Sequence, residues 1–282
     1  MPIYEETYRS WEGSLIPRPR TWRVIGKTGI RLLWKKGMIL FILLAYIPFF
    51  VRAVQIYLMT RFGEGTPLAE AVQSLKINAD FFHGFLQGQW LYLILILIFA
   101  GAGLVANDRK YNALTIYFSK PVGFWDYASG KLLIIAFYGA LVTLIPAWLL
   151  FIIKVMVSQD AAFLNQYYYI PFSILAYFLM VVASLGVLIL ALSAAARSTR
   201  SAAVFYFAIL TFPEIIRGIL SRIPEAGLFS LNAVLRQAGA GLFGVSRPYV
   251  FSPILAWLVL IGVSGLSVLI LHWRVRPTEV IK

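Results

Sequence analysis

Six stretches of this chain are each long and apolar enough to cross a bilayer, whose hydrocarbon core takes about 20 helical residues. They lie near Met38–Leu58, Trp90–Ala106, Leu132–Val157, Ile174–Ala196, Ala202–Leu220 and Pro253–Trp273. Together they consume nearly half of the 282 residues and leave no room for a separate soluble domain of useful size. The runs are continuous, whereas the strands of a membrane barrel alternate over about ten residues. The sequence therefore predicts an all-α polytopic membrane protein, one domain over residues 1–282. Composition agrees, at 60% apolar and 13% charged, against roughly 45–50% and 25% for soluble domains.

The net charge of +13 looks like a nucleic-acid signal until it is mapped onto the connections. Of the 25 Lys and Arg, seventeen fall before the first span, in the second-to-third and fourth-to-fifth connections, and after the sixth span. Five fall on the other side, and three, Arg52, Lys154 and Arg217, within spans. Lys and Arg are retained on the cytoplasmic face. The map predicts a multi-pass protein of the cytoplasmic (inner) membrane with both termini inside. The positive charge then reports topology and anionic lipid, with the bilayer rather than nucleic acid as partner. Residues 1–37 carry eight basic side chains and no apolar run ending in small residues, so a cleaved signal is not expected. Cysteine is absent, which removes thiolate metal sites and thiol nucleophiles.

Residues 1–20 read as a cytoplasmic tail, 21–37 as an amphipathic helix in the membrane interface, 38–273 as the six-span bundle and 274–282 as a second tail. In TWRVIGKTGIRLLWKKG the apolar residues lie among Arg23, Lys27, Arg31, Lys35 and Lys36, a mixture suited to headgroup depth; a plain basic flank is the alternative. The loop Thr60–Gly84 is expected outside and partly irregular. Tyr167-Tyr168-Tyr169 reads as an interfacial anchor. Arg197 to Arg200 is a very short inside connection, so spans four and five form a tight hairpin. Between spans five and six, the apolar pieces Gly227–Leu235 and Ala240–Val245 are too short to cross and read as re-entrant or interfacial helices.

The segment Asn107 to Lys131, NDRKYNALTIYFSKPVGFWDYASGK, is a charged, aromatic loop between two apolar spans. Pro121 fits the first turn of a short helix, where its missing N–H costs nothing. Val122, Phe124, Trp125 and Tyr127 then give that helix an apolar face too large for a plain connector. Two readings stand: a solvated loop with interfacial aromatics, or a docking element gripped by another cytoplasmic protein.

This segment resembles ABC-2-type permeases, the membrane subunits of many ATP-driven exporters. Their loop after the second span runs approximately E-x-x-x-G-T-L, then S-K-P-V, then an aromatic and G-K. Asp108, Leu114, Ser119-Lys120-Pro121-Val122, Tyr127 and Gly130-Lys131 stand here in matching order. The departures are Asp108 for Glu and Asn112-Ala113 for Gly-Thr. The resemblance implies a cytoplasmic coupling helix after span two, docked on a separate ATP-binding subunit through Lys120, Pro121, Val122, Phe124, Trp125, Asp126, Tyr127 and Lys131. It also implies a second permease subunit, the same chain or a paralogue, an amphipathic helix before span one, and short re-entrant helices capping the outer mouth. ATP would be bound by the partner, leaving no cofactor and no enzymatic activity in this chain.

Other candidate chemistry is sparse. Gly26-Lys27-Thr28 matches only the end of a phosphate-binding loop, since Thr21 stands where the first glycine is needed and no strand precedes it. His83 and His272 fall on opposite sides of the bilayer, too few for haem or metal chemistry. Arg52 and Lys154 fall near span ends and suit snorkelling. Glu214 and Arg217 are three apart on span five and can pair, beside Pro213, which can kink the helix. With Asp108 they are the candidates for a pathway or gate; the alternative is a locally neutralised pair. A secondary transporter or channel would need mid-span carboxylates that are lacking here. A non-transporting scaffold subunit of a membrane complex is the other alternative.

Overall fold

The computed structural model describes residues 21–62, 77–120, 122–158, 161–220 and 223–275. The expected tail over 1–20, the 63–76 part of the Thr60–Gly84 loop, Pro121 and the 276–282 part of the second tail lie outside the described residues.

Six helical runs are long and apolar enough to cross a membrane. The first, Lys36–Thr60, is carried by α2 (Lys36–Ala45) and α3 (Ile47–Phe62), preceded by α1 (Thr21–Leu33). Pro48 lacks the N–H that would continue the ladder across this break, and the buried Gln89 amide donates to the Ala45 carbonyl there at 3.2 Å. Next come α4 (Ala79–Gly88), α5 (Trp90–Gly101) and α6 (Ala106–Lys110). The connection to the third run holds α7 (Ala113–Phe118), and the run itself is α8 (Phe124–Val142) and α9 (Leu144–Ser158). The fourth contains α10 (Ala161–Tyr167), α11 (Ile170–Val181), a π-helical turn at Val182–Gly186, and α12 (Val187–Ala195). The fifth is α13 (Thr199–Ile219), and the sixth α15 (Pro253–Arg274). Between them lie a 3-10 turn, Pro224–Phe229, and α14 (Leu231–Phe243).

Most of the described basic residues, in α1, the α6–α8 connection, the α12–α13 hairpin and the end of α15, fall at one end of the bundle, here called the basic end. Arg197 and Arg200 flank the hairpin between α12 and α13, where Ser198 caps α13 by accepting from the Ser201 N–H at 3.2 Å. Pro213 lies inside α13, which continues through it as one helix.

The third run is longer than the expected Leu132–Val157. It spans 35 residues from Phe124 to Ser158, about 52 Å at 1.5 Å per residue, against a hydrocarbon core of about 30 Å. The run is thus longer than a single crossing needs, and it is divided at Thr143 between α8 and α9. The separate short helix expected over Pro121–Gly130 is, from Phe124 on, the start of α8. No proline interrupts that sequence, and a helical glycine such as Gly130 costs only about 1 kcal/mol. The helix is begun locally: the Gly123 N–H donates to the Asp126 carboxylate at 3.3 Å, closing the first turn. The short helix of this connection is instead α7.

The N-terminal helix ends earlier than expected, at Leu33, and packs lengthwise on α8. A Cβ on Gly26 would sit 2.5 Å from Leu133 Cδ2, and one on Gly130 would sit 2.8 Å from Ile25 Cβ and 2.9 Å from the Trp22 carbonyl. One on Gly29 would sit closer still to Ile134 Cδ1. Three glycines thus let the two backbones approach, as small residues do between membrane helices. Further along, Tyr138 donates to the Ile30 carbonyl at 2.9 Å, and Trp34 meets Phe137 and Tyr138.

At the far end, part of the loop expected to be irregular is the helix α4; of the two apolar pieces between spans five and six, Leu231–Leu235 and Ala240–Phe243 fall in one helix, α14, while Gly227–Phe229 belong to the 3-10 turn. Gly244, at φ +63°, ends α14, a left-handed position that suits glycine. Most of α14 is buried, including Asn232 and Gln237. Gly239 brings it against α4 and α11, since a Cβ there would lie 2.8 Å from both His83 Nε2 and Tyr177 Cε2.

Candidate functional site

The connection between spans two and three is built around one carboxylate. After α5 the chain turns through Ala102–Val105, and Ser193 of α12 holds that turn. Its hydroxyl donates to the Ala102 carbonyl at 2.8 Å and accepts from the Val105 and Ala106 N–H groups, both at 3.0 Å. One buried hydroxyl thereby satisfies three backbone groups that the helix break would otherwise orphan. Asn107 accepts from the Thr199 hydroxyl at 2.9 Å, and Arg109 donates to the Ala194 carbonyl. The start of α6 is therefore fixed to the α12–α13 hairpin.

Fixed in this way, Asp108 points at α8. Its Oδ2 lies 2.6 Å from Lys131 Nζ and accepts from the Tyr127 hydroxyl at 2.7 Å. The Lys131 ammonium also lies 5.7 Å and 5.3 Å from the centroids of Tyr117 and Tyr127, close enough for cation–π attraction. Tyr117 packs edge-on against Tyr127 at 5.4 Å, and burial followed by the Asp108 charge raises its pKa. One carboxylate, one ammonium and two phenol rings thus join α6, α7 and α8.

Between α6 and α7 the chain reverses at Asn112, φ +53°, the one non-glycine residue with positive φ among the described residues. Asparagine tolerates the left-handed region better than most residues with a side chain. The turn presents α7 toward α1, and a groove of roughly 530 Å³ opens between them. Thr21, Val24 and Ile25 form one wall, Ala113, Ile116 and Tyr117 the other, with Lys120 and Val122 at the end. Ile116 is 64% exposed and Trp125, on the first turn of α8, 71% exposed.

The residues expected to dock a partner separate into two groups. Tyr127 and Lys131 are buried within the chain, where the Asp108 carboxylate engages both. Lys120, Val122, Phe124, Trp125 and Asp126 stay at the surface or half-buried. Phe124 meets His272 of α15 edge-on at 4.6 Å, Asp126 is used in the helix start, and Pro121 lies outside the described residues.

Glu214 and Arg217 do pair, at 2.6 Å, at the far end of α13. The Ser230 hydroxyl, which also caps α14 at 3.2 Å, donates to Glu214. Arg217 lies 5.6 Å from the centroid of Tyr249. The pair thus ties span five to the segment that leads into span six. Arg52 bonds Gln55 at 3.0 Å and lies over Phe81 at 4.9 Å; Lys154 meets the Thr60 hydroxyl at 3.4 Å.

Sequence reasoning missed the glycine contact of α1 with α8, although Gly26 and Gly29, three apart in the sequence, were a usable signal. It also missed Ser193, a lone serine in an apolar run, which gives no pattern to find. No protein-family model and no curated protein matches the chain.

Proposed function

We propose that this chain is the membrane permease subunit of an ABC-2-type transporter, working as a dimer with itself or a paralogue and driven by separate ATP-binding subunits. In this reading the basic end faces the cytoplasm, both termini are inside, and the membrane is the inner membrane. The observation that carries it is the apolar groove between α1 and α7 with Ile116 and Trp125 exposed beside it. Apolar surface of this kind at a charged, water-facing end marks a protein-binding site. Two further observations support the resemblance. Asn112, which replaces the family's glycine, adopts the backbone conformation that glycine fits best. The family's acidic, aromatic and lysine positions meet here as Asp108, Tyr127 and Lys131.

Coupling follows from the connections. An ATP-binding subunit seated in the groove would contact α7 and the start of α8 through Ile116, Lys120, Val122 and Trp125. Asp108 of α6 holds Tyr127 and Lys131 of α8, Tyr117 of α7 packs on the same pair, and α8 belongs to span three. A displacement at the groove is then carried into the membrane by a stiff helix and, through Ser193 and Arg109, into α12. ATP closure of the two ATP-binding subunits would draw the basic ends of two permeases together and open a route between them. The apolar groove of α5 and α13, lined by Ile98, Phe207, Thr211 and Ile215 among others, is the surface assigned to the second permease. Pro213, Glu214 and Arg217 would border the far end of that route. ATP is bound and cleaved on the partner, so no residue of this chain is assigned a catalytic role.

The test is co-purification from native membranes. The Ile116→Ala, Trp125→Ala variant should insert normally and lose most of an associated ATP-binding subunit, because aromatic anchors commonly contribute about 2 kcal/mol or more each. Undiminished recovery of that subunit would remove the groove from the proposal.

A further inference from the structure

One face of α1 is left unused by the groove and by the packing on α8. Arg23, Lys27 and Arg31 recur every fourth residue, so they line one side of the helix, and all three are exposed. No acidic residue lies between Thr21 and Gly37, and among the described residues the ion pairs are those of Asp108 and Glu214. Beside the three cations runs a second groove, of roughly 570 Å³, whose floor is Trp22, Ile30 and Leu133. The Arg23 guanidinium lies 5.1 Å from the Trp22 ring centroid. Three residues past the end of α1, the first membrane-crossing run begins at Lys36. The cationic face therefore lies just ahead of that run in the chain.

We infer that this face is a binding site for the headgroup phosphate of an anionic phospholipid. Arg23, Lys27 and Arg31 hold the phosphate oxygens, and Trp22, Ile30 and Leu133 receive the first part of an acyl chain. Charge complementarity and position select this occupant. A free phosphate would leave the apolar floor uncovered, and the membrane edge supplies headgroups at the right depth. Arginine favours the bidentate contacts that phosphate accepts. The inference goes beyond the permease proposal and stands whether or not an ATP-binding subunit docks nearby.

The experiment is native mass spectrometry of the full chain in detergent, with phosphatidylglycerol, phosphatidylcholine or inorganic phosphate added. Wild type should retain phosphatidylglycerol at least tenfold over phosphatidylcholine. The Arg23→Gln, Lys27→Gln, Arg31→Gln variant should lower that retention on the order of a hundredfold, about fivefold for each cation. These side chains are exposed, so the fold does not depend on them, and the Arg23→Lys, Arg31→Lys variant should keep most of the binding. An equal loss from Arg197→Gln, Arg200→Gln, Arg274→Gln would show a non-specific charge effect and overturn the site. Displacement of the lipid by inorganic phosphate at equal concentration would reduce it to a free-anion site and overturn the lipid assignment. Equal retention of the two lipids by wild type would do the same.

Discussion

Replacing Asp108 with Asn keeps the shape of the side chain and an acceptor for the Tyr127 hydroxyl but leaves the Lys131 ammonium without its counter-charge. At 2.6 Å and an effective dielectric constant of 20, the lost attraction is about 6 kcal/mol before any change in hydration. Lys131 keeps only 7% of its side-chain surface, so water cannot replace much of it. Removing one member of a buried pair typically costs about 3–5 kcal/mol, and Asp108→Asn should fall in that range. Lys131→Met should cost less, about 1–2 kcal/mol, because Asp108 is more exposed, at 17%, and retains the Tyr127 hydroxyl. The double variant should be more stable than Asp108→Asn alone, since no buried charge remains. Denaturant unfolding in detergent, run as a double-mutant cycle, reads this directly. Additivity of the two substitutions within about 0.5 kcal/mol would refute the claim that this network locks α6 and α7 to α8.

At the far end, Glu214→Gln and Arg217→Met should each impair stability more than the two together, because each leaves its partner's charge in apolar surroundings; additive effects in unfolding measurements would show the pair to be unimportant. Burial first of all, with Arg236 adding to it and Asp80 opposing, lowers the His83 pKa to about 4. The unfolded chain takes up that proton near pH 6.5, so stability should fall as pH drops from about 6.5 to about 4, by up to about 3 kcal/mol. Thermal unfolding against pH should show this slope, and His83→Gln should flatten it; an unchanged slope would remove His83 as the cause. Alanine usually stabilises a helix over glycine by about 1 kcal/mol. Gly218→Ala on α13, with open space around it, should follow that rule. Gly130→Ala should instead cost about 1–3 kcal/mol, since its Cβ would meet the Trp22 backbone carbonyl at 2.9 Å; a gain in stability would contradict the close α1–α8 contact.

Hydropathy located all six crossing helices, because apolar length is a property of the local sequence. Boundaries were missed where a helix leaves the apolar layer. The first eight residues of α8, Phe124 to Lys131, are polar and aromatic enough to read as loop, and only the contact with α1 and Asp108 shows why they stay helical. The same contact explains the mixed outcome for the docking residues. Trp125 and Tyr127 are two apart and chemically alike, but on a helix two residues apart they face different directions. Tyr127 faces Asp108 and is covered, while Trp125 faces outward. The Glu214–Arg217 pair was legible from its i, i+3 spacing alone. The partnership with Ser230, sixteen residues away, was not, because nothing in the sequence specifies that α14 folds back onto span five.

Whether the α1–α7 groove receives an ATP-binding subunit can be read from a crosslink. A photoreactive amino acid replacing Trp125 projects from a position that is 71% exposed, so it disturbs little of the chain itself. Irradiated native membranes should yield one dominant adduct, and its peptides should contain a phosphate-binding loop of the G-x-x-x-x-G-K-[ST] type. The same probe placed at Val250, 84% exposed at the far end, should give no such adduct. Crosslinking at position 125 to lipid alone, or to a protein without that loop, would rule out an ATP-binding subunit as the occupant of the groove.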